Sequence, residues 1–372
     1  MRARWLALGG VALAAVVAPA RATMRVLPRV PAVTGHSYIL VDPVTGSVLA
    51  ARHPELRMPM ASVTKLMTAL VAVEHASLNA KVDVTAGAAA TSGSSMHLIA
   101  GERIAMRNLL KGLLIASGND AAVAIADGIS GSVPRFVALM NRRARALGMT
   151  NTHFENPDGL DDAHHFTSAR DLVLIGRRVV ANPVLERILK TRRAVVPGPN
   201  GIGGRVLISL DGALGSWAPI DVIKTGRTHA AGGTVVCRAV QPGTGVQLWV
   251  AELGAPSVAG RSADVEKLIG WGFRHYSRTT VLSAGAPEGT IPVTDDPGVV
   301  VQLQVARELV SVIRVDMRLT RTIRVAGGVS LPVAEGQVLG TITVRQGAHA
   351  LGVRSLVARA AVNPSVGTGA AS

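Results

Sequence analysis

The sequence predicts an α+β fold in two domains, the second of them small and all-β. Its 372 residues exceed one average domain, and strands near the N-terminus are followed by several helices before strands return near residue 221. That order is typical of an antiparallel sheet with helices packed on it and a helical subdomain inserted. Beyond residue 287, short runs alternate apolar and polar residues with the period of a strand that has one wet face.

The first 22 residues have the composition of a secretory signal peptide. Arg2 and Arg4 give a basic start, residues 5–18 are apolar, and residues 20–22 have the small-residue spacing of a cleavage site. The apolar run is too short to span a bilayer comfortably, so an uncleaved anchor is the lesser alternative. Export to the periplasm or cell envelope is therefore expected.

Composition restricts the kinds of partner. The net charge of +15 suits anionic partners such as a membrane surface or a cell-wall polymer, although solubility alone also accounts for it. Nucleic acid is not expected as a partner, because the arginines are scattered without an aromatic-interleaved basic stripe or zinc-ligand spacing. Hydrophobic residues make up 48% of the chain. Because Cys237 is the only cysteine, stability must come from packing and not from an internal disulfide.

Two strands joined by a Pro- and Gly-containing turn are predicted within residues 36–52. A helix follows from Ser62, because apolar residues recur at helical spacing with neither Gly nor Pro before Gly87. Residues 81–104 are expected to form loops and short strands. Further helices are predicted from apolar periodicity and capping residues at 109–116, 121–129, 134–147, after Ser168, and at 183–189.

Strands are predicted at 221–226 and in a hairpin at 234–253, and a helix at 261–276 completes the first domain. Residues 277–287 are expected to be a linker. The second domain then contains strands with alternating polarity, at 299–305, 313–320, 323–325, 339–344 and 351–358. The tail, 363–372, is small and polar and is expected to be disordered.

Paired histidines precede the Ser168 helix. His164 and His165 suggest a metal site, but no carboxylate or third histidine stands at ligand spacing. We therefore expect both to be polar surface residues.

Ser62 and Lys65 lie three residues apart on a predicted helix and so share a face. The lysine amine can approach the serine hydroxyl, and the helix N-terminus adds positive potential beside it. Lysine is a base for serine only if its pKa is lowered by desolvation or by a second cation. The alternative is an ordinary helix N-cap with a solvated lysine.

Two other polar segments invite a functional interpretation. Ser117 and Asn119 interrupt two apolar helices, so they must either cap a helix or reach a cleft. Lys224, Thr225 and Gly226 end an apolar strand, where a lysine, a hydroxyl and a glycine that allows close backbone approach favour a carboxylate site. A strand end followed by a turn is the alternative for this tripeptide.

Ser-x-x-Lys, Ser-x-Asn and Lys-Thr-Gly occur here in the order found in class A β-lactamases and penicillin-binding proteins. With these motifs the chain resembles the serine-type D-alanyl-D-alanine carboxypeptidases, the low-molecular-mass penicillin-binding proteins. The resemblance covers nearly all of the sequence after the signal peptide. The flanking segments that match are 59–68, 93–96, 101–102, 147–150, 154–160, 224–228 and 231–232.

The resemblance implies a β-lactamase/transpeptidase-like domain at 23–280 and a β-sandwich-like domain at 288–362. It implies removal of the terminal D-alanine from peptidoglycan stem pentapeptides through an acyl-enzyme, without metal or other cofactor. β-Lactam antibiotics would acylate the same serine. The implied catalytic residues are Ser62, Lys65 and Ser117, as nucleophile, general base and proton relay. The implied substrate-binding residues are Asn119, Lys224, Thr225, Gly226, Arg227 and Arg261.

Two positions depart from the family pattern. Arg227 stands where histidine is common, which matters little if its backbone N–H is the functional group. The tail lacks the amphipathic helix with which many relatives hold the inner membrane, so no C-terminal anchor is expected. Three alternatives stay open: a β-lactamase that uses Glu155 to position water, an endopeptidase that cuts D-alanyl cross-links, and a non-catalytic penicillin-fold binding module.

Overall fold

The computed structural model of the chain describes residues 16–19, 29–211, 219–294, 296, 298–325 and 327–364. The chain divides into two compact units. The larger unit is Arg29–Phe273, and the smaller unit comprises the described parts of Met1–Pro28 and Arg274–Ser372. Most of the predicted signal peptide and of the predicted disordered tail lies outside the described residues, and both stay predictions.

The helices of the described chain are numbered in chain order. A 3₁₀ helix, Ala61–Thr64, runs directly into α1, and a second short 3₁₀ helix follows β6. The α-helices are α1 (Lys65–His75), α2 (Ala86–Ala89), α3 (Met106–Ile115), α4 (Asn119–Ser130), α5 (Val133–Ala146), α6 (Ala169–Val180), α7 (Pro183–Leu189) and α8 (Val258–Phe273).

The strands are numbered in the same way. They are β1 (Val16–Pro19), β2 (Ser37–Val41), β3 (Val48–Arg52), β4 (Lys81–Asp83), β5 (Arg103–Ala105), β6 (Arg193–Pro197), β7 (Gly204–Ile208), β8 (Ile220–Thr228), β9 (Gly232–Val240), β10 (Gln247–Ala255), β11 (Tyr276–Leu282), β12 (Pro287–Pro292), β13 (Val300–Val305), β14 (Leu309–Arg314), β15 (Leu319–Val325), β16 (Val338–Gln346) and β17 (His349–Ala358).

An antiparallel sheet in the order β3-β2-β10-β9-β8 forms the centre of the larger unit. Leu248 and Trp249 are neighbours on β10 and therefore point to opposite faces. A Cβ added at Gly272 of α8 would touch Leu248, and one added at Gly176 of α6 would touch Trp249. Glycine thus brings one helix close to each face, and the layers are helix, sheet and helix.

The inserted helical subdomain is organised around α1. This helix is buried from Lys65 to Ala72 and packs against α3, α4, α5 and α6. The two caps expected from sequence are present: Ser168 Oγ accepts the N–H of Asp171 at 3.2 Å, and Asn182 caps α7. The predicted α+β class, with its antiparallel sheet, packed helices and helical subdomain, is confirmed.

The smaller unit is all-β, as predicted. Its six-stranded sheet has the order β1-β15-β16-β17-β13-β12, and the separate pair β11-β14 packs on it through a shared apolar core. The division of the chain falls before the predicted linker at 277–287, because β11 begins at Tyr276 and pairs with β14.

The prediction of one continuous strand over 313–320 was wrong. The chain turns between β14 and β15, where Arg314 donates to Asp316 at 2.6 Å. Gln346 also donates to the carbonyl oxygens of Arg314 and Met317, at 2.7 and 3.0 Å. The alternation of polar and apolar residues continues across this turn, so periodicity alone does not reveal it.

No single helix in the described segments has the length and apolar character needed to cross a membrane, and only the bent pair α4–α5 meets that test, by length and composition.

Candidate active site

Ser62 lies within the 3₁₀ helix that precedes α1 and not at the N-cap of an α-helix. The preceding residue, Ala61, has φ of +50°, which costs a non-glycine residue roughly 1–2 kcal/mol. The segment from Ser62 to Lys65 nevertheless spans one helical turn, so the two side chains face each other as their spacing predicts. The amine nitrogen of Lys65 lies 2.9 Å from the hydroxyl oxygen of Ser62.

The side chain of Lys65 is completely buried, so the alternative of a solvated lysine is wrong. Its Nζ donates to Asn119 Oδ1 at 2.7 Å and to the carbonyl oxygen of Asp158 at 2.5 Å, besides its contact with Ser62. The three partners come from the 3₁₀ helix, the start of α4 and the loop before α6. The amine therefore needs no acidic hydrogen-bond partner from its own helix.

Burial, and after it the positive charge of Lys224, lower the pKa of Lys65 to about 7. The carboxylates of Asp158 and Asp120 oppose this shift in part. Both physical causes anticipated from the sequence, desolvation and a second cation, are therefore present. A substantial fraction of Lys65 is a neutral amine at neutral pH.

Asn119 begins α4, and its side chain is held from two sides. Its Oδ1 accepts from Lys65, and its Nδ2 donates to the carbonyl oxygen of Ser92 at 2.6 Å. The neighbouring Asp120 is buried and accepts from the backbone N–H groups of Met96 and Leu98 at 3.0 Å each. The amide of Asn119 is thereby fixed between Lys65 and the loop before β5.

Ser117 lies two residues before Asn119, in the break between α3 and α4. It has φ of +57° and is 3% exposed. Gly118, and not Ser117, is the N-cap residue of α4, so the capping alternative does not account for this serine. Among the described residues, the Ser117 hydroxyl forms no hydrogen bond, including to Lys65 or Ser62.

Lys224 and Thr225 occupy the buried part of β8, and a third residue, Asp211, joins them. Lys224 Nζ donates to the carbonyl oxygen of Thr225 at 2.9 Å and lies 3.9 Å from a carboxylate oxygen of Asp211. Thr225 Oγ1 donates to the same carboxylate. Burial lowers the pKa of Lys224; Asp211 opposes that shift and Arg261 adds to it.

Arg261 of α8 completes this cationic group. It is buried, and its guanidinium lies 3.4 Å from the carbonyl oxygen of Thr234 on β9. Burial lowers its pKa, whereas the charge of Asp211 acts in the opposite direction. Lys224 and Thr225 of β8 therefore meet the Asp211 carboxylate, and the charge of Arg261 on α8 also interacts with it. A substrate carboxylate would use the same chemistry.

Gly226 connects this cationic group to the serine. A Cβ at Gly226 would lie 2.6 Å from the backbone nitrogen of Ser62, so β8 passes directly beside the 3₁₀ helix. Arg227 follows with an exposed side chain, which suits a role for its backbone only. In the described residues, no group of three or more His, Cys, Asp or Glu side chains is placed to hold a metal ion.

Several residues of this region were not anticipated from sequence. Asp158 contributes a carbonyl oxygen, which no side-chain pattern reveals, and Asp211 follows β7 outside any helix or strand, with no motif of its own. The expectation of a surface His165 was wrong: this residue is 2% exposed, because its loop folds back onto the 3₁₀ helix. His164, by contrast, is exposed as expected.

Comparisons with known proteins identify a family for the chain. A family model described as D-alanyl-D-alanine carboxypeptidase matches residues 24–256. The D-alanyl-D-alanine carboxypeptidase DacA of Escherichia coli is 34% identical over 346 residues, which is 89% of this chain and 84% of that protein.

Solved structures resemble the chain over most of its length. The D-alanyl-D-alanine carboxypeptidase DacD from Francisella tularensis has a TM-score of 0.65 at 25% identity and covers 91% of this chain and 96% of its own. Penicillin binding protein 5 from Haemophilus influenzae has the same TM-score at 28% identity, with 91% and 100% covered. From the family match and the extended identity, the chain belongs to the D-alanyl-D-alanine carboxypeptidase family.

Proposed function

We propose that the chain is a serine D-alanyl-D-alanine carboxypeptidase that removes the terminal D-alanine from peptidoglycan stem pentapeptides through an acyl-enzyme. The observation that carries the proposal is the 2.9 Å contact between the Ser62 hydroxyl and the buried amine of Lys65. A buried amine with a pKa near 7 serves as a base at neutral pH, whereas an ordinary solvated lysine is fully protonated there.

The partners of Lys65 explain how it takes the serine proton. Asn119 Oδ1 and the Asp158 carbonyl oxygen are acceptors only, so each holds one N–H of the amine. In the neutral amine two N–H groups point to these oxygens, and the lone pair is left facing Ser62. Proton transfer from Ser62 Oγ to Nζ then needs no rearrangement of the lysine.

The attack forms a bond between Ser62 Oγ and the carbonyl carbon of the penultimate D-alanine. In this proposal the oxyanion is stabilised by the backbone N–H groups of Ser62 and Arg227, each worth a few kcal/mol in the transition state. The closeness of Gly226 to the Ser62 nitrogen supports this pairing of β8 with the serine. Lys224, Thr225 and Arg261 bind the terminal carboxylate.

The leaving D-alanine nitrogen needs a proton when the C–N bond breaks. Ser117 relays it from Lys65 in this proposal, and the position of Ser117 beside Asn119, with its side chain 3% exposed and its hydroxyl free of hydrogen bonds among the described residues, supports that role. Asn119 binds the substrate amide. Water then hydrolyses the ester at Ser62, and β-lactams, which resemble the D-alanyl-D-alanine end, acylate the same oxygen.

The position of Glu155 argues against the β-lactamase alternative. Its side chain is exposed and lies 3.3 Å from His153 Nδ1, with no hydrogen bond to Ser62 or Lys65 among the described residues. A class A mechanism needs a glutamate that positions the deacylating water at the serine. Slow release of a β-lactam is therefore expected, and peptide is the favoured substrate.

The proposal also covers the cellular compartment in which the protein acts. The basic, apolar N-terminus and the +15 charge support export and residence beside anionic envelope polymers or a membrane surface. Detection of the expressed chain in the periplasmic fraction, with loss of about the first 22 residues by mass spectrometry, tests this part.

The deciding experiment uses a pentapeptide ending in D-alanyl-D-alanine, with D-alanine release as the readout and with EDTA present. Wild type is expected to release D-alanine and Ser62→Ala to release none. No release by wild type would remove the assignment, and equal release by both proteins would remove Ser62 as the nucleophile. A cross-linked muropeptide dimer, assayed in parallel, distinguishes carboxypeptidase from endopeptidase activity.

A further inference from the structure

His165 is a buried side chain that the proposed reaction does not use. Both of its ring nitrogens have partners in the larger unit. The backbone N–H of Glu155 donates to Nδ1 at 3.0 Å, and Nε2 lies 2.7 Å from Thr64 Oγ1. The ring edge also packs against Phe154, with centroids 5.8 Å apart.

The direction of these hydrogen bonds follows from their donors. A backbone N–H only donates, so Nδ1 of His165 is the acceptor and the ring proton is on Nε2. Nε2–H then donates to Thr64 Oγ1, whose own proton goes to the carbonyl oxygen of Ala61 at 2.8 Å. Three hydrogen bonds run in one direction, from the Glu155 backbone to the residue before Ser62.

The surroundings keep this ring neutral. Burial lowers the pKa of His165 to about 4; the carboxylates of Asp162 and Asp161 oppose the shift, and the charges of His153 and Lys65 reinforce it. A protonated ring would lose the acceptor that holds the N–H of Glu155.

The carbonyl group of Ala61 is held from two sides. Thr64 donates to its oxygen, and a Cβ at Gly159 would overlap that same oxygen. Ala61 itself has φ of +50°, so its conformation depends on such contacts. The Ala61 carbonyl and the Ser62 N–H belong to one planar peptide group, so fixing the oxygen also fixes the direction of the N–H.

We propose that His165, acting through Thr64, is a positioning residue that orients the Ala61–Ser62 peptide group and with it the N–H of Ser62 that binds the oxyanion. This inference rests on the proposed function. His165 touches none of the reacting atoms, and its effect reaches the substrate through a single peptide group.

Two pairs of variants separate positioning from folding. His165→Asn keeps an acceptor near Nδ1 but has no donor toward Thr64, whereas His165→Gln places an amide N–H near the position of Nε2. Thr64→Val removes the hydroxyl at constant shape, and Thr64→Ser keeps it. The readouts are the acylation rate constant with a fluorescent penicillin, counted per titratable site, kcat and KM for the pentapeptide, and Tm.

We expect His165→Asn and Thr64→Val to acylate about 10- to 100-fold more slowly per titratable site with little change in KM, because a misplaced donor weakens the transition state. His165→Gln and Thr64→Ser should acylate at close to the wild-type rate. Because the two residues act in series, the double variant His165→Asn/Thr64→Val should be no slower than Thr64→Val alone.

Equal rates for His165→Asn and His165→Gln, or additive losses in the double variant, would overturn the positioning role. Losses that follow Tm and the number of titratable sites, with an unchanged rate per site, would also overturn it. An inactive, unacylated wild type would instead remove the proposed function and this inference with it. The ¹⁵N shifts of the His165 ring give a readout independent of activity: an unprotonated Nδ1 and a protonated Nε2 at pH 7 are required.

Discussion

Gly226 on β8 and the backbone nitrogen of Ser62 are so close that a Cβ on the glycine would lie 2.6 Å from that nitrogen. The same Cβ would lie 2.8 Å from Thr234 Oγ1 and from the Cβ of Ala61. No residue other than glycine fits here without movement of the 3₁₀ helix that contains Ser62. Gly226 therefore sets the distance between β8 and Ser62.

The first prediction concerns that distance. Gly226→Ala is expected to slow β-lactam acylation about 100-fold or more, because the added methyl group displaces Ser62 and its N–H. Stopped-flow acylation, normalised to folded protein, measures the effect.

The matched control is Gly270→Ala in α8, where an added Cβ meets nothing within 4 Å. This variant should retain the wild-type acylation rate and gain up to about 1 kcal/mol of stability from helix propensity. A wild-type acylation rate in Gly226→Ala would contradict the packing of β8 on the 3₁₀ helix that contains Ser62.

The second prediction concerns the pH dependence of acylation, which two substitutions should shift in opposite directions. Acylation should increase as pH rises through about 7, because Lys65 must be neutral to accept the serine proton. Lys224→Met removes a cation and should move this limb to higher pH. Asp158→Asn removes an anion and should move it to lower pH.

The pH profile of the acylation rate constant measures these shifts. The pH midpoint of the limb is compared separately from its maximum rate, because Lys224 is also proposed to bind substrate. A limb that moves in the same direction in both variants would show that Lys65 is not the titrating group.

The third prediction concerns Asp211, whose carboxylate accepts from Thr225 and lies 3.9 Å from Lys224 Nζ. In the proposed reaction the substrate carboxylate uses the same donors, so the negative charge of Asp211 would repel it. Asp211→Asn should therefore lower KM for the pentapeptide at least about threefold with a smaller change in kcat. Steady-state kinetics measures both constants.

Asp221→Asn is the matched control for Asp211→Asn. Asp221 lies on β8, the strand of Lys224 and Thr225, but its carboxylate is bonded to Arg238 and Lys190 instead. Its loss should leave KM unchanged. An increase in KM for Asp211→Asn would instead assign Asp211 to holding Thr225 in place.

The fourth prediction concerns the stability of the larger unit. Burial raises the pKa of Glu252 to about 9, and the neighbouring Asp264 adds to the shift. The folded state therefore keeps a proton that the unfolded state loses above about pH 4.5. The stabilising effect of this proton is complete below that pH and is lost as pH rises through about 9, at up to about 1.4 kcal/mol per pH unit.

Glu252→Gln carries no such proton, so its Tm should fall less than that of wild type between pH 5 and pH 8.5. Thermal unfolding at the two pH values measures the difference. The exposed Glu266, substituted in the same way, serves as the control and should reproduce the wild-type pH dependence. Parallel Tm changes in wild type and Glu252→Gln would contradict the buried, protonated state.

Local patterns in the chain predicted much of this molecule. The α-helices other than α2, the β9–β10 hairpin, the caps at Ser168 and Asn182 and the contact of Ser62 with Lys65 depend on neighbours within a few residues, where periodicity and side-chain chemistry are informative. The short helix α2 lies in a segment that was expected to form loops and short strands, so that expectation was wrong there. Motif order added the family, which the comparisons confirm.

The burial and protonation of the site residues depend instead on packing between segments that are far apart in the sequence. The burial of Lys65 follows from Asn119 and the Asp158 carbonyl, which lie 54 and 93 positions away along the chain. The inward turn of His165 likewise depends on Thr64, 101 positions away. Hydrogen bonding of a buried amine or imidazole is a property of the whole neighbourhood, because desolvation must be offset by partners from any element that reaches it. A sequence pattern places such residues on an element, and the folded core then sets their protonation and their role.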